Sequence, residues 1–197
     1  MWKPFTSAAV AALLLAGCAA TPPTPDAPGA AVADAPLPEV RGRNADAFDR
    51  ALALLRDDRL AEAEALLLQI TADQPELAGP WVNLAQVYLR RDREDDAQRA
   101  LQAAVAANPG NCAARNELGV LLRRRGEFAA AEAHYLACLE HQPDFQPAHL
   151  NLGILYELYL GRLEEALAAY RRYQDLAAQP DRKVGVWVVD LERRLGS

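Results

Sequence analysis

The chain repeats itself every 34 residues across most of residues 44–180, and that periodicity limits the possible fold more than any single motif. Pro75, Pro109 and Pro143 stand 34 apart. So do Leu84, Leu118 and Leu152, each followed by a small residue: Ala85, Gly119 and Gly153. Ala63, Ala97 and Ala131 keep the interval, and Ala166 continues it one residue late. Leu67, Leu101 and Tyr135 do the same, with Tyr170 again one late, and a turn column holds Asp58, Asp92, Gly126 and Gly161. Such a period marks a stack of similar units, none of which can bury its apolar face alone. Four units follow: 44–77, 78–111, 112–145 and 146–180.

The units are helical. Alanine, the strongest helix former, makes up roughly a fifth of the chain, and β-branched residues are sparse before the last segment. Unit three, NCAARNELGVLLRRRGEFAAAEAHYLACLEHQP, reads as helix, Gly126 turn, helix and proline stop. Gly119 and Ala131 sit where two antiparallel helices approach closely, and Leu118, Leu122 and Tyr135 are the knobs that fill the space between them. Length and pattern together resemble the tetratricopeptide repeat. That resemblance implies an all-α solenoid of helix-turn-helix pairs, about four repeats over 43–180, closed by a capping helix over 181–197. In the last segment Val184, Trp187, Val188, Leu191 and Leu195 form an apolar stripe with charges opposite.

Three departures from the pattern carry their own expectations. Arg50 replaces the leucine of the other units, which predicts a frayed or capping first helix. Trp81 is matched in the next two units by Arg115 and His149, so the early aromatic is not kept. Unit four holds one extra residue between Tyr156 and Ala166, which predicts a lengthened first helix or a looser turn there.

The start of the chain is an address. A basic Lys3 precedes an apolar run from Ala8 to Ala16, too short to span a bilayer but suited to a secretory signal over 1–17. Leu15-Ala16-Gly17-Cys18 resembles the bacterial lipobox, which implies acylation of Cys18 and a lipid anchor in the membrane. Ala19 follows, and by the sorting pattern of such lipoproteins this implies the outer membrane with the body facing the periplasm. Residues 18–42 hold six of the 13 prolines and no hydrophobic periodicity, so they read as a linker. As an extended polyproline helix it would reach about 75 Å.

Composition bounds the function. The 197 residues carry a formal charge of −6, which argues against nucleic acid as a partner. No phosphate-binding glycine loop, nucleophile elbow or H-E-x-x-H is present, and paired acids such as Glu164-Glu165 read as solvated helix charge. Neither an enzyme nor a cofactor or small-molecule substrate is expected. Cys112 and Cys138 lie at the same edge of one helix pair, as a disulfide or as two separate buried thiols. His134, Cys138 and His141 share a helical face, which leaves a redox- or metal-responsive periplasmic sensor built on these residues and Cys112 as the alternative function.

The leading candidate is a binding groove lined by the first helix of each unit. Register places Phe48, Leu52, Val82, Asn83, Gln86, Asn116, Glu117, Val120, Leu150, Asn151 and Ile154 there. Its amides suit an extended peptide or a partner helix. Arg56, Arg90 and Arg124 recur at 34 and would form a basic rim, or else compensate helix dipoles. The lysine-and-asparagine clamp by which some tetratricopeptide domains hold C-terminal carboxylates is absent, because Val82 and Asn116 replace its first basic position. The expected function is therefore a non-catalytic scaffold with a protein partner, a periplasmic or outer-membrane component of the envelope. It is similar to the repeat lipoproteins that assist pilus secretin assembly or recruit cell-wall enzymes.

Overall fold

Alanines that are fully buried in every unit set the helix spacing. Ala63, Ala97, Ala131 and Ala166 each have 0% exposure, and a larger side chain at any of them would push two helices apart. The computed structural model describes residues 42–196, in which helices are joined by short turns and no strand occurs. The signal, Cys18 and the linker as far as residue 41 lie outside the described residues. Unit one is α1 (Arg43–Arg56) and α2 (Leu60–Asp73), and unit two is α3 (Ala78–Arg90) and α4 (Glu94–Ala107). Unit three is α5 (Cys112–Arg124) and α6 (Phe128–His141). Unit four begins with α7 (Gln146–Leu155), runs on through a π-helical turn, Tyr156–Leu160, and ends with α8 (Leu163–Leu176). A last helix, α9 (Arg182–Leu195), packs on α8.

The turn column has a backbone reason. Asp58, Asp92, Gly126 and Gly161 all adopt positive φ, at 59°, 56°, 80° and 66°. This left-handed geometry reverses the chain between the two helices of a unit, and glycine or a short polar residue tolerates it best. One backbone bond then closes each turn: the N–H groups of Arg59, Arg93 and Glu127 donate to the carbonyls of Leu54, Tyr88 and Leu122. In unit four the acceptor stays in register at Tyr156, but the donor is Arg162, one residue later, at 2.9 Å. The extra residue is thus absorbed between Tyr156 and Arg162 by widening the last helical turn to π geometry.

Tyrosine knobs pack directly on glycine. A Cβ at Gly119 would lie 2.4 Å from Cε1 of Tyr135, and one at Gly153 would lie 2.3 Å from Cε1 of Tyr170. Unit two fills the same place with Ala85 and Leu101, so the small residue and its knob change together. The Tyr170 hydroxyl donates to Glu157 at 3.1 Å, whereas the buried Tyr135 hydroxyl has no partner, because unit three carries Arg123 where unit four has Glu157.

The two ends differ from each other. The first helix is complete and not frayed: Ala51 and Leu55 are buried, while Arg50 is exposed on the side that later units turn toward a predecessor. At the other end Val184 and Leu191 are buried, and Trp187 stacks on Tyr170 with ring centres 5.4 Å apart. Asp181 caps α9 by accepting from the N–H groups of Lys183 and Val184. The outer side of α9 is not purely charged, since Val186 and Val189 are 67% and 65% exposed.

Candidate functional site

The first helices adjoin within two pairs of neighbouring units, α1 with α3 and α5 with α7, and the 34-residue register places equivalent side chains of α3, α5 and α7 on the same side of each unit. Position by position, each offers a pair of side chains one turn apart along this strip. These pairs are Asn83 with Gln86 on α3, Glu117 with Val120 on α5, and Asn151 with Ile154 on α7. Gln86 is exposed and the other five are half-buried.

Units three and four are joined across the strip by side-chain amides. Asn151 Nδ2 donates to Asn116 Oδ1 at 2.9 Å, and the Asn116 amide is the polar neighbour that favours the charged form of the Glu117 carboxylate. Asn116 is buried at 6% exposure, so it is the floor that links its neighbours and not itself a contact surface. Asn83 donates to the Gly79 carbonyl one turn back, which fixes its amide on the strip. Burial raises the pKa of Glu117 above the ordinary carboxylate range, and the Asn116 amide only partly opposes this.

The recurring arginines do not form a free basic rim. Arg90 donates to the Leu55 carbonyl at 2.7 Å and to Asp58 at 2.5 Å, reaching back into unit one. Arg124 pairs with Glu94 of unit two. Both neutralise acids of the preceding unit, so their charge is spent between repeats. Arg56 is exposed.

Further inter-unit pairs went unseen in the sequence. Arg93 holds Glu64 at 2.7 Å and Asp96 at 2.6 Å while its guanidinium lies 4.4 Å from the centre of the Tyr88 ring. Arg162 repeats this with Glu132 and Glu165, both at 2.8 Å, and with Tyr156 at 4.3 Å. Unit three lacks the arrangement, having Leu122 and Glu127 in the tyrosine and arginine places.

The column of Trp81, Arg115 and His149 also acquires a common role. Trp81 Nε1, Arg115 Nε and His149 Nε2 bond the carbonyls of Pro75, Pro109 and Pro143 at 3.0, 2.5 and 2.8 Å. Three unlike side chains thus each supply one ring or guanidinium nitrogen to the carbonyl six residues back. The signal available in the sequence was that every member of the column carries an N–H.

Cys112 and Cys138 are paired as a disulfide that ties the start of α5 to α6, with Cα atoms 4.6 Å apart. The two residues are 4% and 0% exposed, which shields the sulfurs from solvent oxidants and reductants. The metal reading of the sensor alternative loses its geometry. Cys138 is committed to Cys112, and among the described residues no three His, Cys, Asp or Glu side chains are grouped to hold an ion. His134 is half-buried with Nδ1 unpartnered, and His141 is exposed beside Gly110.

The tetratricopeptide repeat family model matches residues 82–144 and 123–182, together more than half of the chain. The chain belongs to the tetratricopeptide repeat family. FlbA of Caulobacter vibrioides is 31% identical over 137 residues, covering 62% of this chain and 23% of FlbA. The chain thus spans under a quarter of that relative, and 8% of mouse superkiller complex protein 3. Among solved structures, PilF of Pseudomonas aeruginosa superposes with a TM-score of 0.68 at 18% identity, covering 78% of this chain and 69% of PilF. A crystal structure of MamA gives 0.61 at 21% identity over 68% and 78% of the two chains. YrrB, a tetratricopeptide repeat protein with an unusual peptide-binding site, gives 0.60 at 22% identity over 75% of each. At these identities the structures establish a shared fold. The tetratricopeptide fold is typically non-catalytic, and this chain is a protein–protein interaction scaffold built on that fold.

Proposed function

We propose that the protein is a membrane-anchored adaptor, held by an acylated Cys18 at the outer membrane and facing the periplasm. It brings an envelope component to its place of action by binding an extended segment of that partner along the strip of first helices. Pilus secretin assembly and the recruitment of cell-wall enzymes are the processes that an adaptor of this address would serve. The observation that carries the reading is the strip itself, where amides at Asn83, Gln86 and Asn151 alternate with apolar Val120 and Ile154. Amides pair with a peptide backbone and apolar side chains with its residues, the mixture that extended-peptide recognition needs. The peptide-binding site of YrrB on a similar fold lends support.

A photo-reactive residue at exposed Gln86, introduced in living cells, tests this. The expected product is a crosslink to one periplasmic or outer-membrane protein that is lost when the same probe replaces exposed Arg99 on α4. Labelling of equal strength from both positions, or from neither, refutes the reading.

A further inference from the structure

Glu117 is out of keeping with the other acids of the molecule. Glu64, Glu132 and Glu157 have side-chain exposures of 13%, 21% and 14%, and each holds an arginine at 2.9 Å or less. Arginines likewise meet Glu94, Asp96, Asp190 and Glu192, and Asp181 takes the N–H groups that start α9. Glu117 alone among the half-buried carboxylates described has neither a cation nor a helix N–H, only the amide of Asn116. Burying a carboxylate without a counter-charge is unfavourable. A chain so rich in arginine could have supplied one here, as it did elsewhere.

The surroundings say what fits. Glu117 stands between Asn83 and Asn151 in the 34-residue column, so the strip presents amide, carboxylate, amide in order. Half-buried Val120 and Ile154 lie one turn along on α5 and α7. An extended peptide whose backbone meets the two amides would set one side chain over α5, where an apolar flank leads to a negative head. Lysine and arginine have that shape, an aliphatic stem with a charged end.

Building on the groove reading above, we propose that Glu117 is a specificity-determining residue that selects a partner segment carrying a lysine or arginine side chain at the position seated over α5. The missing cation of Glu117 is supplied by the partner. This also explains why the carboxylate-clamp residues are replaced: the strip is built for a basic segment and not for an acidic terminus.

A randomised dodecapeptide library, acetylated and amidated so that termini carry no charge, is captured on the full-length chain and sequenced. On the wild type, lysine and arginine should be enriched at one peptide position at least fivefold over aspartate and glutamate. Glu117→Gln should still capture peptides with that preference reduced to near unity, and Glu117→Lys should invert it toward acidic residues. Equal enrichment on wild type and Glu117→Gln, or an acidic preference on the wild type, overturns the role of Glu117 while leaving the groove in place. Capture of no peptide by the wild type refutes the groove reading and this inference with it. Thermal melts should show Glu117→Gln folding at least as stably as the wild type, since it removes an uncompensated carboxylate.

Discussion

Replacing Gly119 by alanine tests the packing at the centre of unit three. The new Cβ would stand 2.4, 2.7 and 2.8 Å from Cε1, Cζ and Cδ1 of Tyr135, a ring with 0% exposure. Carbon atoms rest at about 3.5–4.0 Å, so the ring must retreat by roughly 1 Å into space already filled. Overpacking of that kind costs about 1–3 kcal/mol, against a gain of about 1 kcal/mol from replacing a mid-helix glycine. The net expectation is a loss of up to about 2 kcal/mol, or up to about 8 °C in melting temperature for a body of this size. Urea denaturation of Gly119→Ala, Tyr135→Leu and the double variant measures it. Unit two already uses Ala85 with Leu101, so the double variant should recover at least about 1 kcal/mol relative to the sum of the singles. A stabilised Gly119→Ala, or strict additivity in the double variant, would refute the knob-on-glycine account of this column.

Other perturbations bear on different parts of the structure. Reduction of the Cys112–Cys138 link, which spans 26 residues, should lower stability by about 3 kcal/mol, read as a drop in melting temperature in the presence of a reductant under denaturing exchange. An unchanged melt together with two free thiols in the native protein would count against the bond. Asp92→Gly should raise the urea midpoint, because the left-handed φ of 56° costs a non-glycine residue roughly 1 kcal/mol; an unchanged or lower midpoint would argue against strain there. Burial and the Glu132 carboxylate push the Tyr156 hydroxyl up to about 12, and Tyr135 and Tyr170 are raised as well. Because the folded value exceeds the unfolded one, this stabilisation is complete below about pH 10 and is lost as pH rises through about 12. Absorbance titration at 295 nm should show delayed ionisation in the native protein, and coincident native and unfolded curves would contradict it.

Residues whose identity burial dictates were legible in the sequence. The alanine column must be small because two helix axes cross there, and the leucine and tyrosine columns must be large because they fill the gap. The extra residue in unit four was legible too, since a break in period locates itself, although its resolution as a π turn required the closing bond to Tyr156. Roles that depend only on one N–H were hidden. Trp81, Arg115 and His149 look unrelated as residues, yet each satisfies a proline carbonyl. The arginines misled for another reason. Arg90 and Arg124 recur like binding residues, but their partners Asp58 and Glu94 lie 32 and 30 residues back, and only the stacking of units brings them together. The exposed Val186 and Val189 fall outside the apolar stripe of α9, whose period marks only the side that packs on α8.

Hydrogen exchange of the full-length chain, alone and with the crosslinked partner protein bound, tests the strip most directly. Slowed exchange should be confined to α3, α5 and α7 and strongest around Glu117. Protection confined to α2, α4 and α6, or to the outer side of α9, would contradict the assignment of the binding surface.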